Sequence, residues 1–237
     1  MERLDKILAS TGKWSRREVK QLVRQGRVLA DGRPASSPEE KYDPEAVEFT
    51  VDGEPVGYRR VTWLMMNKPG GVLSATEDGR GTTVLDLLPP ELRRIGLFPV
   101  GRLDKDTEGL LLLTNDGDTA HRLLSPKYHV DKVYYTRVAG CLTEEDCQAF
   151  RAGMVLGDGL HCLPAGLEVL SAGESSEALV TLREGKFHQV KRMLAARGKP
   201  VQYLKRVRMG NLTLDPALEL GGFRFLTDEE WKSMGGQ

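Results

Sequence analysis

The segment whose residue types best suit chemistry is a glycine-bounded loop at residues 101–109, with the sequence GRLDKDTEG. It holds three carboxylates and two cations directly before an apolar stretch at 110–114. A carboxylate beside cations keeps a low pKa and stays ionised, as a nucleophile or a general base must. An ordinary charged turn has the same composition, so the loop alone leaves its acids as candidates.

Two other segments carry groups that could assist such a carboxylate. Residues 186–193, KFHQVKRM, place three hydrogen-bonding groups and two cations at the start of a predicted helix. The alternative is a solvated basic face with His188 as an ordinary surface residue. Tyr134 and Tyr135 lie in a predicted strand, where packing in the core is the alternative.

Several classes of protein lack their motifs here. The chain has no GxSxG, Walker-type loop or dinucleotide fingerprint, which argues against a hydrolase, an NTPase and a dehydrogenase. Its three cysteines form no CxxC pair, and no apolar run approaches 18 residues. The N-terminus has the pattern of a helix rather than a signal peptide. We therefore expect a cytoplasmic protein with no metal site and no membrane segment.

The charge is balanced overall and uneven along the chain. Among 237 residues, 34 Lys and Arg balance 34 Asp and Glu, and 40% are hydrophobic, which is the composition of a globular protein. Residues 1–33 hold nine basic residues against four acids, and residues 183–208 hold nine against Glu184 alone. Two basic zones on a neutral chain indicate a polyanionic partner, although each zone could be a solvated helix face.

Residues 2–50 are predicted to form a small unit of two helices and short strands. Ser15 and Glu18 have the spacing of a capping box that opens the second helix, and Asp31-Gly32 is typical of a hairpin turn. The basic side chains from this helix and its end project mostly opposite its apolar stripe: Arg16, Arg17, Lys20, Arg24 and Arg27.

After a predicted linker at 52–60, strands and helices are mixed without a regular alternation. Strands are predicted at 61–67, 110–114, 133–139 and 178–182, and helices at 118–124, 143–153, 188–197 and 227–234. Asp118 is the expected cap of the first of these helices. The pattern favours an α+β fold with a mostly antiparallel sheet.

The segment at 101–117, GRLDKDTEGLLLLTNDG, resembles the signature of the bacterial ribosomal RNA pseudouridine synthases, in the small-subunit branch. Residues 2–50 are similar to the S4-like RNA-binding domain of this branch. NKPGG at 67–71, DKVY at 131–134 and GKFHQVKRM at 185–193 are similar to its first, tyrosine and basic motifs. The resemblance implies a small α/β S4-like domain at 1–58 and an α+β catalytic domain at 59–237.

The resemblance also implies roles for individual residues. The family's catalytic Asp falls on Asp104, whereas Asp106 and Glu108 remain loop residues. The tyrosine that stacks on the target base falls on Tyr134, and the basic partner of the Asp falls on Lys191. Many relatives have Arg at this last position, so a point-like ammonium replaces a bidentate guanidinium here. RNA contacts are expected from eleven further residues: Lys6, Arg16, Arg17, Lys20, Arg24, Arg27, Lys68, Arg102, His188, Gln189 and Arg192.

The implied reaction is the isomerisation of a uridine in ribosomal RNA, for which no cofactor is expected. The target nucleotide must leave its stack to reach the site. HRLLSP at 121–126 favours 16S rRNA, free or within a ribosome-assembly intermediate, and a monomer is expected. Two alternatives stay open: a 23S rRNA pseudouridine synthase of the same superfamily, and a catalytically silent RNA-binding assembly factor.

Overall fold

The computed structural model describes residues 1–58 and 61–235, and for Pro126 the backbone only. Residues 59 and 60 of the predicted linker lie outside the described part. Contacts divide the chain into two compact units: Met1–Thr62 with Leu85–Phe98, and Trp63–Val84 with Pro99–Gln237. The contacts thus group residues 85–98 with the N-terminal unit, and the domain boundary at residue 58 stays a prediction.

The first unit contains three helices: α1 (Leu4–Ala9), α2 (Arg16–Arg24) and α3 (Pro90–Arg94). Its strands are short: β1 (Glu2–Arg3), β2 (Val28–Ala30), β3 (Arg33–Pro34), β4 (Lys41–Tyr42), β5 (Phe49–Val51) and β6 (Glu54–Pro55). The predicted capping box forms, because the Glu18 amide donates to Ser15 Oγ and the Ser15 amide donates to the Glu18 carboxylate. The hairpin turn is also confirmed, with positive φ at both Asp31 and Gly32.

Strands and helices of the second unit follow in chain order. Its strands are β7 (Trp63–Lys68), β8 (Phe98–Pro99, where the chain passes between the units), β9 (Glu108–Thr114), β10 (Lys132–Ala139), β11 (Met154–Val155), β12 (His161–Cys162), β13 (Gly166–Ser171), β14 (Ser175–Leu182), β15 (Val201–Met209), β16 (Leu212–Thr213) and β17 (Phe223–Phe225). Its helices are α4 (Gly117–Leu124), α5 (Glu144–Ala152), α6 (Gln189–Ala196) and α7 (Asp228–Ser233), with a 3-10 turn at Pro126–Tyr128.

The main sheet runs in the order β13-β14-β10-β15-β9-β7-β17. Neighbouring strands along this path are antiparallel except β15 and β9, which are parallel. The predicted α+β fold with a mostly antiparallel sheet is therefore confirmed. The prediction that Asp118 caps α4 is wrong: the cap is Asp116, whose carboxylate accepts from the Thr119 amide at 3.1 Å.

Strands β7 and β9 form the buried centre of this unit. Every residue of β7 is buried, and so is every residue of β9 after Glu108. Burial on both faces explains why the run of four leucines at 110–113 is continuous rather than alternating. At Gly109, a Cβ atom would lie 2.2 Å from the carbonyl oxygen of Arg206, so this close approach to β15 requires glycine. The strand thus fixes the exit of the charged loop that precedes it.

None of the described helices is long and apolar enough to span a membrane.

Candidate active site

Three of the predicted motifs meet at one cleft in the second unit. The loop before β9 contributes Asp104, strand β10 contributes Tyr134, and the segment that leads into α6 contributes His188. Leu182 of β14 and Leu204 of β15 complete an apolar part of the lining. The sheet order places β10 between β14 and β15, so residues distant in sequence face the same cleft.

Asp104 lies between two basic side chains. Lys191 Nζ is 3.3 Å from one carboxylate oxygen, and His188 Nε2 is 3.6 Å from the other. The carboxylate is 25% exposed, so it is open to a ligand while it stays in contact with the ammonium. The structure thus brings together the three residues that the resemblance singled out, Asp104, Tyr134 and Lys191.

Lys191 also binds a second carboxylate. Its Nζ lies 2.5 Å from Asp106 Oδ1, closer than to Asp104. The hydrogen bond from Lys191 lowers the pKa of Asp106, although partial burial opposes it. The sequence left Asp106 as an ordinary loop residue, whereas the structure makes it the nearer partner of the ammonium.

Lys68 does not have the exposure that an RNA contact needs. Its side chain is fully buried, and the three protons of its ammonium are shared among the carbonyls of Pro69, Asp104, Lys105 and Thr107, at N–O distances of 3.0–3.2 Å. Burial lowers the pKa of Lys68 to about 8, against the attraction of the nearby carboxylates. Its inclusion among the RNA contacts is therefore corrected: the ammonium is enclosed and holds the loop that carries Asp104.

Residues outside the loop at 101–109 also hold it by hydrogen bonds. Ser74 Oγ accepts from the Leu103 amide at 3.0 Å and donates to the Leu103 carbonyl at 2.9 Å. The Gly71 amide donates to the Lys105 carbonyl at 2.7 Å. Sequence reasoning missed Ser74, because a single serine 29 positions away from its partner gives no local pattern.

The turn into α6 is held by Gln189. Its side chain is buried, donates to Glu184 at 2.6 Å and accepts from the Lys186 amide at 3.0 Å. Gln189 thus supports this turn from within the protein, and the RNA contact expected of it stays a prediction. Arg192 pairs with Asp158 at 2.5 Å, and Arg102 lies exposed at the cleft.

The six RNA contacts predicted in the first unit fall into two groups. Lys6, Lys20 and Arg27 have acidic partners, in Glu2 at 3.2 Å, Glu39 at 3.5 Å and Asp52 at 2.6 Å. The second group is exposed on one side of α2 and has no ion pair within the described residues: Arg16, Arg17 and Arg24. We call these three arginines the basic face. It lies opposite the buried stripe of α2, as the helical spacing predicts.

Among the described residues, no group of three or more His, Cys, Asp or Glu is placed to hold a metal ion. The cleft instead offers a carboxylate in contact with an ammonium and an imidazole, next to an aromatic ring. Such an arrangement suits a polyanion that presents a planar base.

The chain is similar to known proteins over nearly its whole length. The sequence matches the RNA pseudouridylate synthase family over residues 62–196 and the S4 domain over residues 2–47. It is 52% identical to an uncharacterized RNA pseudouridine synthase of Bacillus subtilis, over 96% of each chain. It is 41% identical to the ribosomal small subunit pseudouridine synthase A of Vibrio cholerae, over 98% of this chain and 99% of the relative.

Two further similarities extend over nearly the whole chain. The ribosomal large subunit pseudouridine synthase B of Bacillus subtilis is 36% identical, over 99% of this chain and 96% of the relative. A crystal structure of a pseudouridylate synthase aligns with a TM-score of 0.69 and 33% identity, over 99% of this chain and all of the other.

Proposed function

The chain belongs to the RNA pseudouridylate synthase family, and we propose that it converts a specific uridine of 16S ribosomal RNA into pseudouridine with Asp104 as its catalytic carboxylate. The observation that carries the proposal is the meeting of Asp104, Lys191 and Tyr134 around one cleft. The choice of 16S rRNA is supported by the identities to small-subunit synthases, which are 36–41%, against 36% for a large-subunit synthase.

The chemistry requires few groups. The bond between nitrogen 1 of the uracil and the ribose breaks, the base turns, and carbon 5 bonds to the ribose instead. Carbon 5 then loses its proton, and nitrogen 1 gains one. Atoms and electrons balance without an oxidant or a phosphate donor. Asp104 supplies the carboxylate that reacts with the nucleotide, and Lys191, whose Nζ is 3.3 Å away, keeps this carboxylate oriented.

Tyr134 is proposed to hold the detached base. Its side chain is mostly buried, yet it lines the cleft together with Asp104. A ring fixed in a central strand offers a rigid stacking surface, and stacking contributes about 1–3 kcal/mol per base. The uracil can therefore turn without leaving the site.

The first unit is proposed to supply affinity rather than chemistry. The basic face leaves three guanidinium groups open to phosphates, and phosphate contacts need no particular base sequence. We propose that the protein acts as a monomer, on free 16S rRNA or on a ribosome-assembly intermediate.

The test is tritium release from uracil-5-tritiated 16S and 23S transcripts, because tritium leaves carbon 5 only when the new bond forms. The wild type should release tritium from 16S rRNA. Asp104→Asn should release none while it still binds the RNA, and Asp118→Asn, an exposed acid in α4, should match the wild type.

The other outcomes of this assay would indicate a different substrate, function or catalytic residue. Release from 23S rRNA alone would establish the large-subunit specificity, and release from neither would favour the silent assembly factor. If Asp106→Ala abolished release and Asp104→Ala did not, the assignment of the catalytic carboxylate would be wrong.

A further inference from the structure

Two stacked aromatic rings stand at the edge of the cleft. The ring of Phe187 lies on the imidazole of His188, with centroids 3.8 Å apart and an interplanar angle of 17°. His188 in turn lies 3.6 Å from Asp104, whereas the Phe187 side chain is 75% exposed. An exposed ring is therefore connected to the catalytic carboxylate through one stacked residue.

We propose that Phe187 is an aromatic wedge, which enters the base stack of the RNA when the target uridine leaves it. The inference rests on the proposed function, because it assigns Phe187 a part in delivering the nucleotide to Asp104. Phe187 touches the RNA beside the reacting nucleotide and takes no part in the bond exchange.

The exposure of Phe187 has no folding rationale. Of the large hydrophobic residues that the structure describes, only Met1 is more exposed. Leu182, five positions before Phe187, and Val190, three positions after it, are both buried and line the cleft. The Phe187 ring thus stays exposed on a segment whose two ends belong to the wall of the cleft.

The backbone holds the wedge in place. His188 has a left-handed backbone with φ of 50°, a conformation that a residue with a side chain adopts at a cost. Gln189 stabilises this turn through its bonds to Glu184 and to the Lys186 amide, and the Arg192 amide donates to the His188 carbonyl at 2.9 Å. A fixed ring loses little conformational entropy when a base stacks on it.

The charges around the ring fit RNA. Lys186, Lys191 and Arg192 lie within five residues of Phe187, and Arg102 is exposed at the same cleft. Each of the first three forms an ion pair: Lys186 with Glu184, Lys191 with Asp106 and Arg192 with Asp158. Arg102 has no ion pair within the described residues, so one cation at the cleft is free for a phosphate. An apolar lipid or protein surface would not need these cations near the exposed ring.

The reaction creates a need for an inserted aromatic side chain. A uridine that turns out of a helix breaks its stacking on both neighbours, and an inserted side chain replaces part of what is lost. Alanine in place of a stacking ring costs about 5- to 150-fold in affinity. We therefore expect Phe187 to matter most where the target uridine is paired and stacked.

The experiment compares two hairpins cut from whichever ribosomal RNA the wild type modifies, once the modified uridine is mapped. In one hairpin the uridine is base-paired, and in the other its partner is replaced so that it is unpaired. Phe187→Ala should lower kcat/KM on the paired hairpin by about 5- to 150-fold and on the unpaired one by much less. Phe187→Trp should restore most of the rate. Leu220→Ala, which removes another exposed hydrophobic side chain, should leave both rates unchanged.

A binding measurement separates insertion from a structural effect. With 2-aminopurine next to the target position, RNA bound to Asp104→Asn should stay quenched, because Phe187 stacks on the fluorescent base. RNA bound to the Asp104→Asn, Phe187→Ala double variant should be brighter. Equal rate losses on both hairpins, or equal fluorescence, would overturn the wedge. A wild type inactive on every transcript would instead refute the proposed function.

Discussion

The strongest test of how the loop is held is the replacement of Lys68 by methionine, which keeps the apolar stem and removes the ammonium. In the structure this ammonium is fully buried and shares its protons among four carbonyls, three of them in the loop at 101–109. The Asp104 and Lys105 carbonyls keep backbone donors, in the amides of Thr107 at 3.1 Å and Gly71 at 2.7 Å. A buried acceptor without its donor costs about 1–3 kcal/mol, so we expect destabilisation of about 2–4 kcal/mol.

Lys132 provides the matched control. It is also a buried lysine, but its ammonium donates to a single carbonyl in the described structure, that of Val130 at 3.1 Å. Lys132→Met should therefore cost about 1 kcal/mol, since one bond is lost and an ammonium no longer has to be buried. Urea unfolding followed by circular dichroism measures both values, and tritium release measures kcat.

Lys68→Met should also slow catalysis, because it loosens the loop that carries Asp104. Because two of the four carbonyls belong to Asp104 and Lys105, Lys68→Met should lower kcat more than it raises KM. Faster hydrogen exchange at the Gly71 and Thr107 amides should accompany the loss. If Lys68→Met matched Lys132→Met in stability and kept its kcat, the ammonium would not hold the loop.

The remaining predictions concern separate parts of the molecule. Lys191→Met should lower kcat by about 10- to 100-fold, because a charge-assisted contact to Asp104 is worth about 1.5–3 kcal/mol, whereas Lys191→Arg should keep most of the rate. Tyr134→Leu should abolish turnover, and Tyr134→Phe should keep the stacking part. Alanines at all three positions of the basic face should flatten the plot of log affinity against log salt by about 2–3 units, at 0.7–0.9 per phosphate contact. Burial alone would raise the pKa of Asp146, but hydrogen bonds from Arg197 and the Thr143 amide lower it below 3.8. This carboxylate should therefore stabilise the fold above about pH 4 and lose that contribution as the pH falls through its folded pKa. Unfolding free energies measured between about pH 5 and 2.5 should depend less on pH in Asp146→Asn than in the wild type.

The contrary outcomes are equally specific. An unchanged rate for Lys191→Met would remove the ion pair from the mechanism, and full activity of Tyr134→Leu would remove stacking. Parallel salt plots for the wild type and the basic-face variant would show that the three arginines are solvated. Identical acid profiles of the wild type and Asp146→Asn would show that its pKa is not lowered.

Local sequence determined the features that depend on neighbouring residues. The capping box at Ser15, the turn at Asp31 and the apolar stripe of α2 are found where the sequence placed them. Their partners lie within about four positions in the chain, so the amino-acid order alone fixes the interaction. The ordered motifs likewise identified Asp104, Tyr134 and Lys191 as neighbours, because the resemblance already carries their spatial relation.

Tertiary structure decided what each polar group of the site contacts. Lys68, predicted to bind RNA, meets its carbonyl partners up to 39 positions away, and Lys191 reaches Asp106 across 85 positions. Nothing in the local pattern of either lysine separates an exposed ammonium from an enclosed one. Only the folded sheet determines this, because the cost of burying a charge is met by whichever distant backbone or side-chain groups the topology brings within hydrogen-bond distance.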